Sequence, residues 1–162
     1  MPLPPPSLKG RALRLLSLRE HSRSELERKL KVHETASGEL ATALDELHVK
    51  GFISEQRVIE SVIYRRSAKL GAARIRQELL GKGLAPDAVK QAVRNLQATE
   101  VERARAIWGR KFGVGAPASQ AAGPSGANRA RQARFLALRG FSADTIRRVV
   151  SGTPGDVEPD CN

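Results

Sequence analysis

Apolar residues recur at helical spacing along most of the chain, most clearly in Ala73–Leu96, ARIRQELLGKGLAPDAVKQAVRNL. Ile75 and Leu79 lie four apart, and Val89, Ala92, Val93 and Leu96 follow the three-and-four rhythm of a second helix. Between them, Gly81-Lys82-Gly83 ends one helix and Ala85-Pro86-Asp87 starts the next. Gly83 suits the left-handed position after a helix, Pro86 the first helical position, and Asp87 the positive end of the helix. The stretch reads as two short helices and a tight turn.

The same pattern returns 57 residues later, where Gly140-Phe141-Ser142-Ala143-Asp144-Thr145-Ile146 overlays Gly83–Val89. Leu136 falls on Leu79 and Arg139 on Lys82. A weaker copy lies 49 residues earlier, with Leu26, Leu30, Leu40, Leu44 and Leu47 on Ile75, Leu79, Val89, Val93 and Leu96. Glu34 stands there in place of the turn glycine. Units of this kind bury their apolar faces on their neighbours. The expected fold is therefore all-α, three tandem three-helix repeats stacked in an elongated curved array.

Taken in order, residues 1–7 are a proline-rich, disordered start, and 8–52 form the first repeat. Its helices start near Leu8, at the capping-box pattern Ser22–Glu25, and at Glu39. Residues 53–97 form the second repeat, with a helix from Ser54 to about Lys69 before the 73–96 hairpin. Residues 98–150 form the third, interrupted by a flexible Gly/Ala/Pro loop at 113–128. Residues 151–162 are a disordered tail.

Gly51-Phe52-Ile53 after the Glu39–Val49 helix also fits a winged-helix transcription factor, with Glu39–Val49 as recognition helix. That fold needs a strand and a wing after Phe52. Val58, Ile59, Val62 and Ile63 instead keep helical spacing, with no turn signal before Gly71.

Composition adds little except through charge. Lys and Arg number 28 against 17 acids, a formal +11, and the surplus is uneven. Residues 1–50 carry +2, whereas residues 101–150, with ten bases and two acids, carry +8. Such a bias calls for an acidic partner, either nucleic acid or an acidic protein surface. The candidate binding residues are Arg65, Arg66, Lys69, Arg76 and Lys82 in the middle unit and Arg129, Arg131, Arg134, Arg139 and Arg147 in the third. Arg74 with Glu78, and Arg148 with Asp144, are spaced for local pairing and are discounted. Tyr64 and Trp108 have the chemistry to stack on bases, although Trp108 shares an apolar helical face with Ala104 and Ile107. Phe52, Phe112 and Phe141 flank turn glycines, where local packing is the plain reading.

No catalytic constellation, cofactor-binding loop or metal-ligand spacing is present. His21, His33 and His48 are poorly spaced for a metal, and Cys161 is the only cysteine. With no apolar run of membrane-spanning length and no secretory leader pattern, a cytoplasmic, non-enzymatic monomer is expected.

Four segments in order, Glu25–Leu30, Gly51-Phe52-Ile53-Ser54 with Arg57, Gly71–Leu79 with Lys82-Gly83, and Arg139–Ser142 with Asp144-Thr145-Ile146, resemble the RecX family. The likeness covers about Leu13 to Val150. It implies three tandem three-helix repeats and a regulator that binds RecA along its DNA filament. Such proteins usually suppress the recombinase, ATPase and co-protease activities of RecA in DNA repair and the SOS response. A non-specific nucleic-acid-binding module, touching DNA directly, is the other alternative.

Overall fold

The computed structural model describes residues 5–113 and 126–152. Most of the expected Pro-rich start, loop and tail, with Cys161, lies outside the described residues. Among those described, there are nine α-helices and no strand: α1 (Leu8–Leu18), α2 (Arg23–Leu30), α3 (Glu39–Val49), α4 (Glu55–Arg66), α5 (Ala72–Gly81), α6 (Pro86–Ala98), α7 (Glu100–Phe112), α8 (Gly126–Ala137) and α9 (Ala143–Val150). The wing expected of the transcription-factor alternative is absent there, because α4 follows Ile53 directly. None of the helices is long and apolar enough to cross a membrane.

Local sequence explains most helix ends. Ser22 Oγ accepts from Glu25 N, and the Glu25 carboxylate accepts from Ser22 N, completing the capping box. Ser54 caps α4 through Arg57 N, and Ser142 caps α9 through Thr145 N. Gly83 and Gly140 are left-handed, with φ of 72° and 81°. In the weaker first copy the left-handed glycine is Gly38, at the start of α3. The Glu34 carboxylate accepts from the backbone N–H of Gly38 and Leu40, so the residue that seemed to spoil the turn closes it another way.

Two ends differ from expectation. α8 begins at Gly126, three residues before Arg129. α4 stops at Arg66 and not near Lys69, because arginines of α7 take the carbonyls that follow it. Arg103 donates to Ser67 O at 3.0 Å and Leu70 O at 2.8 Å, and Arg110 donates to Ala68 O at 3.1 Å. A guanidinium offers several donors in a fixed fork, which suits it to closing a turn of free carbonyls.

The described residues fall into two compact units, divided at Ile63/Tyr64, Gln77/Glu78 and Val89/Lys90. In the first, Leu8, Ala12, Leu26, Leu30, Leu40, Leu44, Leu47 and Ile53 form one apolar core from α1, α2 and α3. In the second, Ala104, Ile107, Leu136, Phe141 and Val149 form another from α7, α8 and α9, with Trp108 and Phe135 packed at its edge. Val58, Ile59 and Val62 on α4, Ile75 and Leu79 on α5, and Val89, Val93 and Leu96 on α6 are also buried, at the helical spacing the sequence predicts.

Candidate functional site

Each unit contains a joint in which a helix–turn–helix bend docks on the start of an earlier helix. In the first unit the Lys82-Gly83 turn meets the start of α2. Ser22 Oγ donates to Lys82 O at 2.5 Å, and Lys82 Nζ reaches Glu25 Oε1 at 2.8 Å. In the second unit the Arg139-Gly140 turn meets the start of α5. Gly71 N donates to Arg139 O at 2.8 Å and Ala73 N to Gly140 O at 3.2 Å. Ser22 and Gly71 are equivalent under the 49-residue offset, and Lys82 and Arg139 under the 57-residue offset.

A buried carboxylate holds each joint. Glu25 accepts from Arg19, Lys82 and Ser22 N. Burial works to raise its pKa, but the hydrogen bonds from Arg19, Lys82 and Ser22 outweigh it and bring the carboxyl down to about 2. Glu100, at the start of α7, accepts from Ala72 N, Ser142 N, Ser142 Oγ and Thr145 Oγ1. Burial again opposes ionisation there, and the donors from Ala72, Ser142 and Thr145 hold the pKa below the usual carboxylate range.

These joints decide which cations remain available. Lys82 is not: its side chain is 14% exposed and committed to Glu25. Arg139 is half-buried, donates to Phe135 O and lies 3.7 Å above the Phe135 ring. Arg147 is exposed but pairs with Asp144 at 3.2 Å, taking the place expected of Arg148. Arg65, Arg66, Arg129 and Arg131 are exposed, and each makes an interaction of its own. Lys69, Arg76 and Arg134 are exposed with no hydrogen-bond or ion-pair partner for their side chains among the described residues.

The arginines of α8 do not share one stripe. Residues two apart on a helix point about 200° apart, so Arg129 and Arg131 lie on opposite flanks, with Arg134 between them on the outer side. What the fold gathers is a cation–aromatic cluster. Phe112 and Phe135 meet edge to face at 5.2 Å. Lys111 Nζ lies 4.9 Å from the Phe135 ring, and the Arg131 guanidinium 5.7 Å from Phe112. Trp108 stands beside them, its Nε1 donating to Gln132 Oε1 at 3.1 Å. Lys111 is one of the ten bases of residues 101–150 from which the sequence-derived cationic set was drawn. Tyr64, beside Arg65, is 87% exposed, whereas Phe112 and Phe141 are buried and Phe52 is 47% exposed.

Among the described residues, no group of three His, Cys, Asp or Glu side chains could hold a metal. The concentrated chemistry is cationic and aromatic, suited to a polyanion or an acidic surface.

Comparison with known proteins fits this arrangement. Residues 9–47 match the RecX family's first three-helix domain and residues 98–150 its third. A regulatory protein RecX of Leptothrix cholodnii is 49% identical over 144 residues, 89% of this chain and 87% of the relative. The chain belongs to the RecX family. A second member, from Ralstonia nicotianae, is 43% identical over 94% of this chain and 91% of its own length. The crystal structure of RecX from Lactobacillus salivarius shares the fold, with a TM-score of 0.71 at 21% identity over 90% of this chain and 93% of that one. A second RecX crystal structure gives a TM-score of 0.73 at 19% identity, over 90% of this chain and 72% of that one. The all-helical RecX fold and a regulatory role follow. The four segments that carried the sequence resemblance include the joint residues: Glu25, Lys82, Gly71 and Gly140 build the two docking contacts. Arg57, which accompanies the Gly51–Ser54 segment, donates to the Gly51 and Phe52 carbonyls and pins that turn.

Proposed function

We propose that this RecX family member binds the RecA recombinase on its DNA filament and lowers its strand-exchange, ATPase and co-protease activities. In this reading the chain is three tandem repeats, 8–52, 53–97 and 98–150, and acts by occupying a filament surface, without chemistry of its own. The observation that carries it is membership of a family of regulatory proteins across 89% of the chain. The physical means is the cationic surplus of residues 101–150, with Lys111 and Arg131 grouped on an aromatic base and Lys69, Arg76 and Arg134 unpaired among the described residues. Cations of this kind neutralise phosphates or acidic grooves and release counterions, which gives affinity that falls with salt.

The test is RecA ATP hydrolysis on single-stranded DNA as this protein is titrated in. A dose-dependent fall that weakens as salt rises is expected. Unchanged hydrolysis at a several-fold excess over RecA would remove the reading. Equal affinity for DNA with and without RecA would favour the non-specific nucleic-acid-binding module instead.

A further inference from the structure

The first unit has a groove unconnected with the cation–aromatic cluster. It lies between α1 and α2 and has a volume of about 420 Å³. Its apolar side is Leu15, Leu18 and Leu30, and its charged lining is Arg11, Arg14 and Lys29, with His33 at one end. Leu18 is 77% exposed and extends the apolar side of the groove to the surface.

The charge of this groove is not a local excess of bases. Residues 1–50 are nearly balanced, at +2. All seven acids of that stretch are engaged elsewhere. Glu20 pairs with Arg57, Glu25 with Arg19 and Lys82, Glu27 and Asp45 with Arg23, Glu34 with Lys31, and Glu46 with Lys9. Glu39 accepts from Thr35. No carboxylate lines the groove, and the side chains of Arg14 and Lys29 have no ion-pair or hydrogen-bond partner among the described residues.

An apolar floor whose charged lining is entirely cationic selects its occupant. Nucleic acid would use the cations but gains little from aliphatic leucines, and no Phe, Tyr or Trp ring lines the groove to stack a base. A second copy docking the same face would set cation against cation. An acidic peptide with one bulky apolar residue satisfies both features, and the volume is within the range of small binding pockets. We propose that the α1–α2 groove docks an acidic segment of a partner protein, seating one apolar side chain on Leu15, Leu18 and Leu30 while flanking carboxylates pair with Arg14 and Lys29.

The experiment is an NMR titration of the ¹⁵N-labelled full chain with a synthetic peptide holding one Phe among Glu and Asp residues. Amides of Leu15, Leu18, Leu30 and Lys29 should move together. Leu18→Ser should weaken binding by roughly tenfold, the cost of about one buried leucine. The double reversal Arg14→Glu, Lys29→Glu should weaken it at least as much. Leu18, Arg14 and Lys29 are exposed, so both variants should keep the wild-type melting temperature. The proposal fails if the peptide moves no groove amide, or if a Phe→Gly peptide binds equally well. It also fails if a single-stranded oligonucleotide moves the same amides more strongly, or if they move on raising the protein concentration alone.

Discussion

Gly71 and Gly140 meet backbone to backbone, with no room for a side chain on either. A Cβ on Gly71 would overlap the Gly140 carbonyl group, and one on Gly140, where φ is 81°, would lie 2.7 Å from Arg74 N. The close approach lets Gly71 N and Ala73 N donate to the Arg139 and Gly140 carbonyls, satisfying donors that the start of α5 leaves open.

Gly71→Ala is therefore expected to cost about 2 kcal/mol or more, because backbone must move to admit the methyl group. Gly109→Ala is the control. It lies within α7 with nothing within 4 Å of its added Cβ, so it should be neutral or stabilising by up to about 1 kcal/mol. Urea unfolding of the two variants checks both signs.

Glu100 gives a second test. Glu100→Gln keeps the shape but replaces one acceptor oxygen by a donor among four donors, and should cost about 2 kcal/mol. Its folded pKa is depressed, so its stabilising effect is fully present above the ordinary carboxylate pKa. That effect is lost as pH falls through the lower folded value.

Glu25 should show the same pH sign over a wider window. With a folded pKa of about 2 against an ordinary 4.5, its contribution is lost progressively as pH drops from about 4.5 towards 2. Glu25→Gln should flatten the pH dependence of stability in that window, while Glu25→Ala should cost about 3 kcal/mol by leaving Lys82 without its partner. Melting temperatures between pH 2 and 7 test this.

Lys82 and Lys111 should separate stability from function. Lys82→Met should lower the melting temperature and leave the salt dependence of the proposed RecA filament binding unchanged, since its charge is committed to Glu25. Lys111→Glu with Arg131→Glu should do the opposite, reducing the salt slope by roughly 0.7–0.9 for each phosphate no longer neutralised. Tyr64→Ala, at an exposed position, should change stability by less than about 0.5 kcal/mol. Filament-binding isotherms at several salt concentrations, beside melting curves, decide these outcomes.

The helices were legible because their signals are local. The Ser22–Glu25 box, the left-handed Gly83 and Gly140, and Pro86 at the first position of α6 act within a few residues of themselves. The end of α4 was not, because the groups that close it, Arg103 and Arg110, stand 33 to 42 residues further along. Arg147 and Arg148 show a subtler limit. Asp144 has both within helical reach, and side-chain geometry gave it to the nearer.

The amino-acid order alone determined that the chain is helical, where most of its turns fall, and that its positive charge gathers late. Tertiary structure decided what each charge is for. It turned Lys82 and Glu25 inward, gave Glu100 four donors from α5 and α9, and seated Lys111 and Arg131 over a ring pair. Helical periodicity and capping act over one turn, whereas a buried ion pair is chosen by whichever distant segment the fold brings against it.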